Sequence, residues 1–169
     1  MTDEPTFEEW SASHMGQLLR TAWLLTGDAP RAEDLVQEAL LRCWPRWPRI
    51  SRMDDRLGYV RKTLTRTYLA SMRRKWRDEI AVGDLADGAE PAVALAGSGF
   101  ELRSALLDAL RRLPAGQRAV LVLRYAEDLS EAQTSAVLGI SVGTVKSQAS
   151  RGLRALRSDT RLLRETDLS

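Results

Sequence analysis

Thr144, Ser147, Gln148, Arg151 and Arg154 recur at intervals of three and four residues near the C-terminal end, with Lys146 and Ser150 at the edge of the same set. On a helix this spacing gathers them on one face. Short hydroxyls and amides suit base edges, and guanidinium groups suit guanine or phosphate oxygens. The chemistry on offer is therefore recognition of nucleic acid. Val145, Ala149, Leu153 and Leu156 take the opposite face and supply its anchor.

The elements that must hold this face are legible just upstream. Leu129 to Ser147 reads as two short helices broken at Leu138-Gly139-Ile140-Ser141, the layout of a helix-turn-helix. Ser130 with Gln133 makes a capping box for the first helix, Gly139 suits the left-handed residue that ends it, and Ser141 can cap the second. The competing reading is an ordinary helical hairpin with a solvated basic face.

A second candidate set lies in the first half. Asp34, Gln37 and Glu38 fall along one side of an expected helix while Leu35 and Ala39 turn inward, which makes an acidic docking edge for a basic partner helix or simply a solvated face. Arg61, Lys62, Arg66, Arg73, Arg74, Lys75 and Arg77 lie outside the inner stripe of Val60, Leu64, Thr67 and Tyr68, where they could grip phosphates. Trp47, Tyr59, Tyr68 and Trp76 are the nearby aromatic faces on which unstacked bases could rest. Core packing is the favoured reading for Tyr68, and the two roles weigh evenly for Trp47.

The charge distribution separates these sets. The 169 residues sum to only +2, but residues 1–38 carry −6, residues 42–77 carry +10, residues 78–101 carry −6 and residues 103–169 carry +4. Two basic blocks flanking an acidic one imply two polyanion-binding surfaces joined by a segment that avoids polyanion. Helical periodicity is widespread and strand signals are weak. Helices are expected over about 7–25, 29–44 and 57–76, with 46–56 a basic loop, then over about 102–113, from Pro114 to about 125, and through the helix-turn-helix. Gly83, Gly88, Pro91, Gly97 and Gly99 interrupt the acidic stretch between. The expected fold is all-α: two small helical domains, 1–77 and 101–169, joined by a flexible acidic linker over 78–100.

Several classes of function are disfavoured. One histidine, His14, and one cysteine, Cys43, cannot build a tetrahedral zinc site, and no Gly-rich phosphate loop follows a strand. No convergent reactive set is present, so neither catalysis by this chain nor a cofactor is expected. His14 reads as a surface residue and Cys43 as core. The lone cysteine excludes an internal disulfide and fits a reducing cytoplasm. The acidic first residues do not read as a signal peptide, and no apolar run approaches the ~20 residues of a membrane span.

Several motifs, in order along nearly the whole chain, resemble the extracytoplasmic-function sigma factors of the sigma-70 family, close to the SigE-like group of actinobacteria. They are Leu24-Leu25-Thr26-Gly27-Asp28 with Ala32-Glu33-Asp34-Leu35-Val36-Gln37-Glu38-Ala39, Tyr59-Val60-Arg61-Lys62-Thr63-Leu64, Leu113-Pro114 through Arg118-Ala119-Val120, Leu123-Arg124-Tyr125 through Leu129-Ser130, and Gly143-Thr144-Val145-Lys146-Ser147 through Arg151-Gly152-Leu153. The resemblance implies a sigma factor that binds core RNA polymerase and directs initiation at −10/−35 promoters. It implies that Asp34, Gln37 and Glu38 meet the polymerase clamp helices. The −10 DNA would meet Arg61, Lys62, Arg66, Arg73, Arg74 and Lys75. The −35 DNA would meet Ser141, Thr144, Lys146, Ser147, Ser150, Arg151 and Arg154. It further implies an anti-sigma partner that wraps both domains. Arg66-Thr67-Tyr68 stands where the family usually has Asn-Thr-Tyr, which implies that Arg66 works by stacking or phosphate contact. The alternative is a free-standing helix-turn-helix regulator on duplex operators, against which the acidic edge and the paired basic blocks both argue. A helical enzyme acting on nucleic acid is a third reading, opposed by the missing reactive groups.

Overall fold

The computed structural model describes residues 4–82, 98–159 and 164, and within them every regular element is helical. The acidic segment 83–97 and the tail beyond Asp159 lie outside the described residues, Arg164 apart. The elements are α1 (Phe7–Thr26), α2 (Ala29–Cys43), a 3-10 turn (Trp44–Arg46), α3 (Trp47–Ile50), α4 (Arg56–Val82), α5 (Ser98–Arg112), α6 (Ala115–Leu121), a π-helical turn (Val122–Ala126), α7 (Glu131–Leu138) and α8 (Val142–Arg157).

Local chemistry explains most boundaries. Thr6 and Glu9 form a capping box at the start of α1, and Gly27 closes it at φ 68°, a left-handed value that glycine adopts without a steric cost. Asp28 then caps α2 by accepting from Arg31 N at 3.1 Å. Asp55 does the same for α4 through Gly58 N at 2.8 Å. Two expectations are revised. The stretch 46–56 is mostly short helical turns, because Trp47 and Ile50 are buried and hold it against the core. Helix α4 runs on to Val82 and α5 starts at Ser98, so both reach into the stretch read as linker.

The stripe read for α4 and the inward Leu35, Ala39 and Cys43 of α2 are buried as expected, and α1 shows the same helical pattern. Leu18, Ala22 and Leu25 of α1, Leu35, Ala39, Leu40 and Cys43 of α2, and Val60, Leu64, Thr67 and Tyr68 of α4 are all buried. Trp47 joins them, capped by Phe7 and Trp10, with its indole N–H on Pro5 O at 3.3 Å; it is core and not a base platform. His14 stacks on Trp10 with ring centroids 4.2 Å apart, half-buried.

The two halves pack directly on each other. Ala119 and Val122 belong to the main core with α1, α2 and α4, and Leu24 of α1 also meets the smaller core of Leu110, Leu113 and Leu121. Arg118, 5% exposed, stitches them. Its guanidinium donates to Leu25 O at 2.7 Å, to Leu113 O at 3.1 Å and to Arg111 O, so it satisfies carbonyls at the ends of α1 and α5. Burial pulls this guanidinium below its ordinary value. Gly152 lets α8 lie close on α6, since a Cβ there would meet Leu121 Cδ1 at 2.8 Å.

Candidate polymerase and nucleic-acid interfaces

Asp34 and Gln37 are exposed on α2 and Glu38 is half-buried, accepting from Arg42 Nη2 at 2.8 Å one turn on. The stripe does not stop there. Leu41, 71% exposed, continues it at the next turn, and Trp44, 52% exposed, packs edge-on against Phe7 just beyond. An apolar end to an acidic edge is a surface that a partner helix can desolvate. Sequence reasoning missed both residues, although Leu41 follows Glu38 at three residues and Asp34 at seven.

The cations of α4 divide between faces. Lys62 and Arg66 share a cleft of about 720 Å³ with Arg42, Arg46 and the half-buried Tyr59. That lining has no acidic side chain, and it places an aromatic ring beside four positive charges. Arg73 and Arg74 stay exposed further along the helix, and the Arg73 position falls close to the same side as Lys62 and Arg66. Lys75 instead lines a second cleft of about 470 Å³ beside Asp34, Glu38 and Arg118, between the two halves. Arg61 also faces the other half of the chain, 2.8 Å from Glu127. Tyr68 is buried, with its phenol pushed up by desolvation. The side chains of Trp76 and Arg77 lie outside the described residues.

The helix-turn-helix has the expected joints. Ser130 accepts from Gln133 N at 3.0 Å while Gln133 Oε1 accepts from Ser130 N at 2.8 Å. Gly139 sits at φ 69°. Ser141 accepts from Thr144 N at 3.1 Å and its hydroxyl lies 2.9 Å from that of Thr144. Val145 is completely buried, and Ala149, Leu153 and Leu156 pack on the smaller core. This anchoring leaves Ser141, Ser147, Arg151 and Arg154 exposed and Thr144 half-buried at the helix start. Lys146, 3.7 Å from Glu131, and Ser150 lie round the flank, beside Tyr125 and Arg157.

Comparison with known proteins agrees with this architecture. Residues 11–78 match the family described as Sigma-70 region 2, and residues 103–156 match Sigma-70, region 4. The chain is 37% identical over 155 residues to the RNA polymerase sigma-E factor of Streptomyces avermitilis, covering 90% of this chain and 84% of that one. This chain belongs to the sigma-70 family of RNA polymerase sigma factors. The ECF RNA polymerase sigma factor SigL of Mycobacterium tuberculosis is 38% identical over 152 residues, 85% of this sigma factor and 82% of SigL, in line with the extracytoplasmic-function group. Among solved structures, it aligns with the sigma factor RpoE of Bartonella quintana, seen in complex with the anti-sigma factor NepR, at a TM-score of 0.68 and 25% identity over 94% of this chain and 96% of that one. The region 2 match holds α2 and nearly all of α4 as far as residue 78, and the region 4 match holds the helix-turn-helix. The family is not an enzyme class. Among the described residues, no helix is long and apolar enough to cross a membrane.

Proposed function

We propose a division of labour for this sigma factor between its two halves. Asp34, Gln37, Glu38 and Leu41 dock the clamp helices of core RNA polymerase. The cleft of Tyr59, Lys62 and Arg66 takes the opened −10 strand. The face of Thr144, Ser147, Arg151 and Arg154, capped by Ser141, reads the −35 duplex, with Lys146 and Ser150 on flanking phosphates. The chain acts in the cytoplasm, has no catalytic step of its own, and is held in check by an anti-sigma protein. The likeness to a sigma factor seen bound to an anti-sigma factor supports that last partner.

One observation carries most of this reading: a cleft whose charged lining side chains are all basic, around a half-buried tyrosine, adjoins the acidic edge of α2. Strand opening needs just that combination. Phosphate contacts give affinity without sequence preference, and a ring face compensates an unstacked base by roughly 1–3 kcal/mol. Reversing charge on the docking edge tests it. Asp34→Arg in purified protein is expected to weaken binding to core polymerase, and promoter-specific transcription with it, while the thermal melt stays at the wild-type temperature. Unchanged polymerase affinity in the folded variant removes the docking assignment. Operator binding that ignores polymerase altogether would favour a free-standing regulator.

A further inference from the structure

The cleft of about 470 Å³ holds a positive charge whose bonds all end on neutral groups. Arg118 lines it and is buried. Its guanidinium donates only to backbone carbonyls, Leu25 O, Leu113 O and Arg111 O, and its buried Nε has no partner. A buried charge is ordinarily paired with an opposite one, because carbonyl dipoles return only part of the hydration it gives up. Here the neighbouring charge is another cation. Burial first, and the like charge of Arg111 with it, pull the Arg118 guanidinium below its ordinary value, against the effect of the Tyr68 phenol. The Arg111 side chain lies over the turn at Gly27, where a Cβ would collide with it, and is 3.8 Å from Asp108 on its own helix.

Tyr68 adds an independent sign. It lines the same cleft, and its buried hydroxyl also has no partner. Buried polar groups are nearly always satisfied, so two orphans on residues of one cleft point to a ligand. The rest of the lining fits a phosphate. Lys75 and Arg31 bring two more positive charges. Asp34 and Glu38 oppose them, but Glu38 is already engaged by Arg42 at 2.8 Å. Guanidinium groups match phosphate oxygens in both charge and geometry. The volume lies in the range of small-molecule sites, with room for an uncharged body against Leu35 and Met72.

We propose that this cleft binds a small phosphorylated ligand whose phosphate groups meet Arg111 and Arg118. The ligand supplies the negative charge that these two guanidinium groups lack. The site is separate from the cleft of Tyr59, Lys62 and Arg66 and from the face of α8, so it stands whether or not those surfaces hold promoter DNA. A ligand bound there stabilises the folded chain by mass action.

Calorimetric titration of the full chain with ADP, pyrophosphate and adenosine tests it, with thermal melts alongside. ADP and pyrophosphate are expected to bind at a single site and to raise Tm, and adenosine to do neither. Tighter binding of ADP than of pyrophosphate identifies the source as a nucleotide; equal binding identifies free polyphosphate. Arg111→Gln is expected to weaken both phosphate ligands about tenfold or more, the factor that one charge-assisted hydrogen bond supplies. Arg20→Gln removes the same charge from an exposed position on α1 and is expected to leave binding unchanged. If neither phosphate ligand binds at millimolar concentration, or if folded Arg111→Gln binds them as wild type does, the proposal is overturned. A loss in Lys62→Gln with none in Arg111→Gln places the phosphate in the other cleft and overturns it too. Should Arg111→Gln not fold, Lys75→Gln removes another charge from the same lining and is expected to weaken both phosphate ligands; undiminished binding there refutes the site.

Discussion

Arg118→Met removes the bonds by which one buried guanidinium ties Leu25 O of α1 to the end of α5, because methionine keeps much of the stem volume and loses every donor. Three carbonyls then lose their partner: Leu25 O, Leu113 O and Arg111 O. A buried acceptor left unpaired costs about 1–3 kcal/mol. Arg118 lines the cleft of about 470 Å³, from which water can replace donors, so the low end applies and the loss is about 3 kcal/mol. Part of this returns, since Nε of Arg118 has no partner and the buried charge no longer needs desolvation. A return of about 1 kcal/mol leaves a net loss of about 2 kcal/mol, or roughly 4–8 °C in Tm for a chain of this size. Thermal melts followed by circular dichroism, with urea titrations at fixed temperature, measure it. Arg118→Lys should lose nearly as much, because a single ammonium cannot span carbonyls fixed by a guanidinium fork. A Tm within about 1 °C of wild type, or above it, would mean that desolvation of the guanidinium outweighs its bonds, and the reasoning fails.

The other predictions concern the surfaces and the core. Arg151→Ala should lower discrimination at one −35 position by ~1–3 kcal/mol in a promoter-variant transcription assay; undiminished preference at every position removes it from the reading face. Leu41→Asp should reduce core polymerase binding in a pull-down titration with no loss of Tm, since Leu41 is 71% exposed and contributes little to the core; wild-type binding would end the stripe at Glu38. Stability should fall as pH rises above about 9, read by urea melts at pH 8 and pH 10. Burial raises the Cys43 thiol from 9.0, against a hydrogen bond with Thr63, and raises the Tyr68 phenol from 10.0, so the folded chain keeps protons that the unfolded chain releases. Cys43→Val should flatten the first part of that slope, and an unchanged slope would assign it elsewhere.

Much of the candidate site follows from local rules. The caps at Asp28, Ser130 with Gln133 and Ser141, and the left-handed glycines at 27 and 139, each depend on atoms within four residues, so spacing alone locates them. The inward stripes of α1, α2 and α4 follow from the helical period for the same reason. The acidic edge was legible as far as Glu38, but its continuation through Leu41 was not, because an exposed leucine looks like core until burial is known. Trp47 weighed evenly between base platform and core; its packing against Phe7 and Trp10 decided for core, and neither neighbour lies near it in sequence.

Residue order alone set that the chain is helical, where α1, α2, α7 and α8 begin, and that two basic blocks flank an acidic one. Tertiary structure alone decided that the halves share a core, that Arg118 bridges the ends of α1 and α5, and that Arg61 turns toward Glu127 and Arg66 donates to Val137 O while Lys62 lines the open cleft. The reason is range: capping and periodicity act over one helical turn, whereas the partner of a charge sixty-six residues away depends on how whole helices stack to bury their apolar faces.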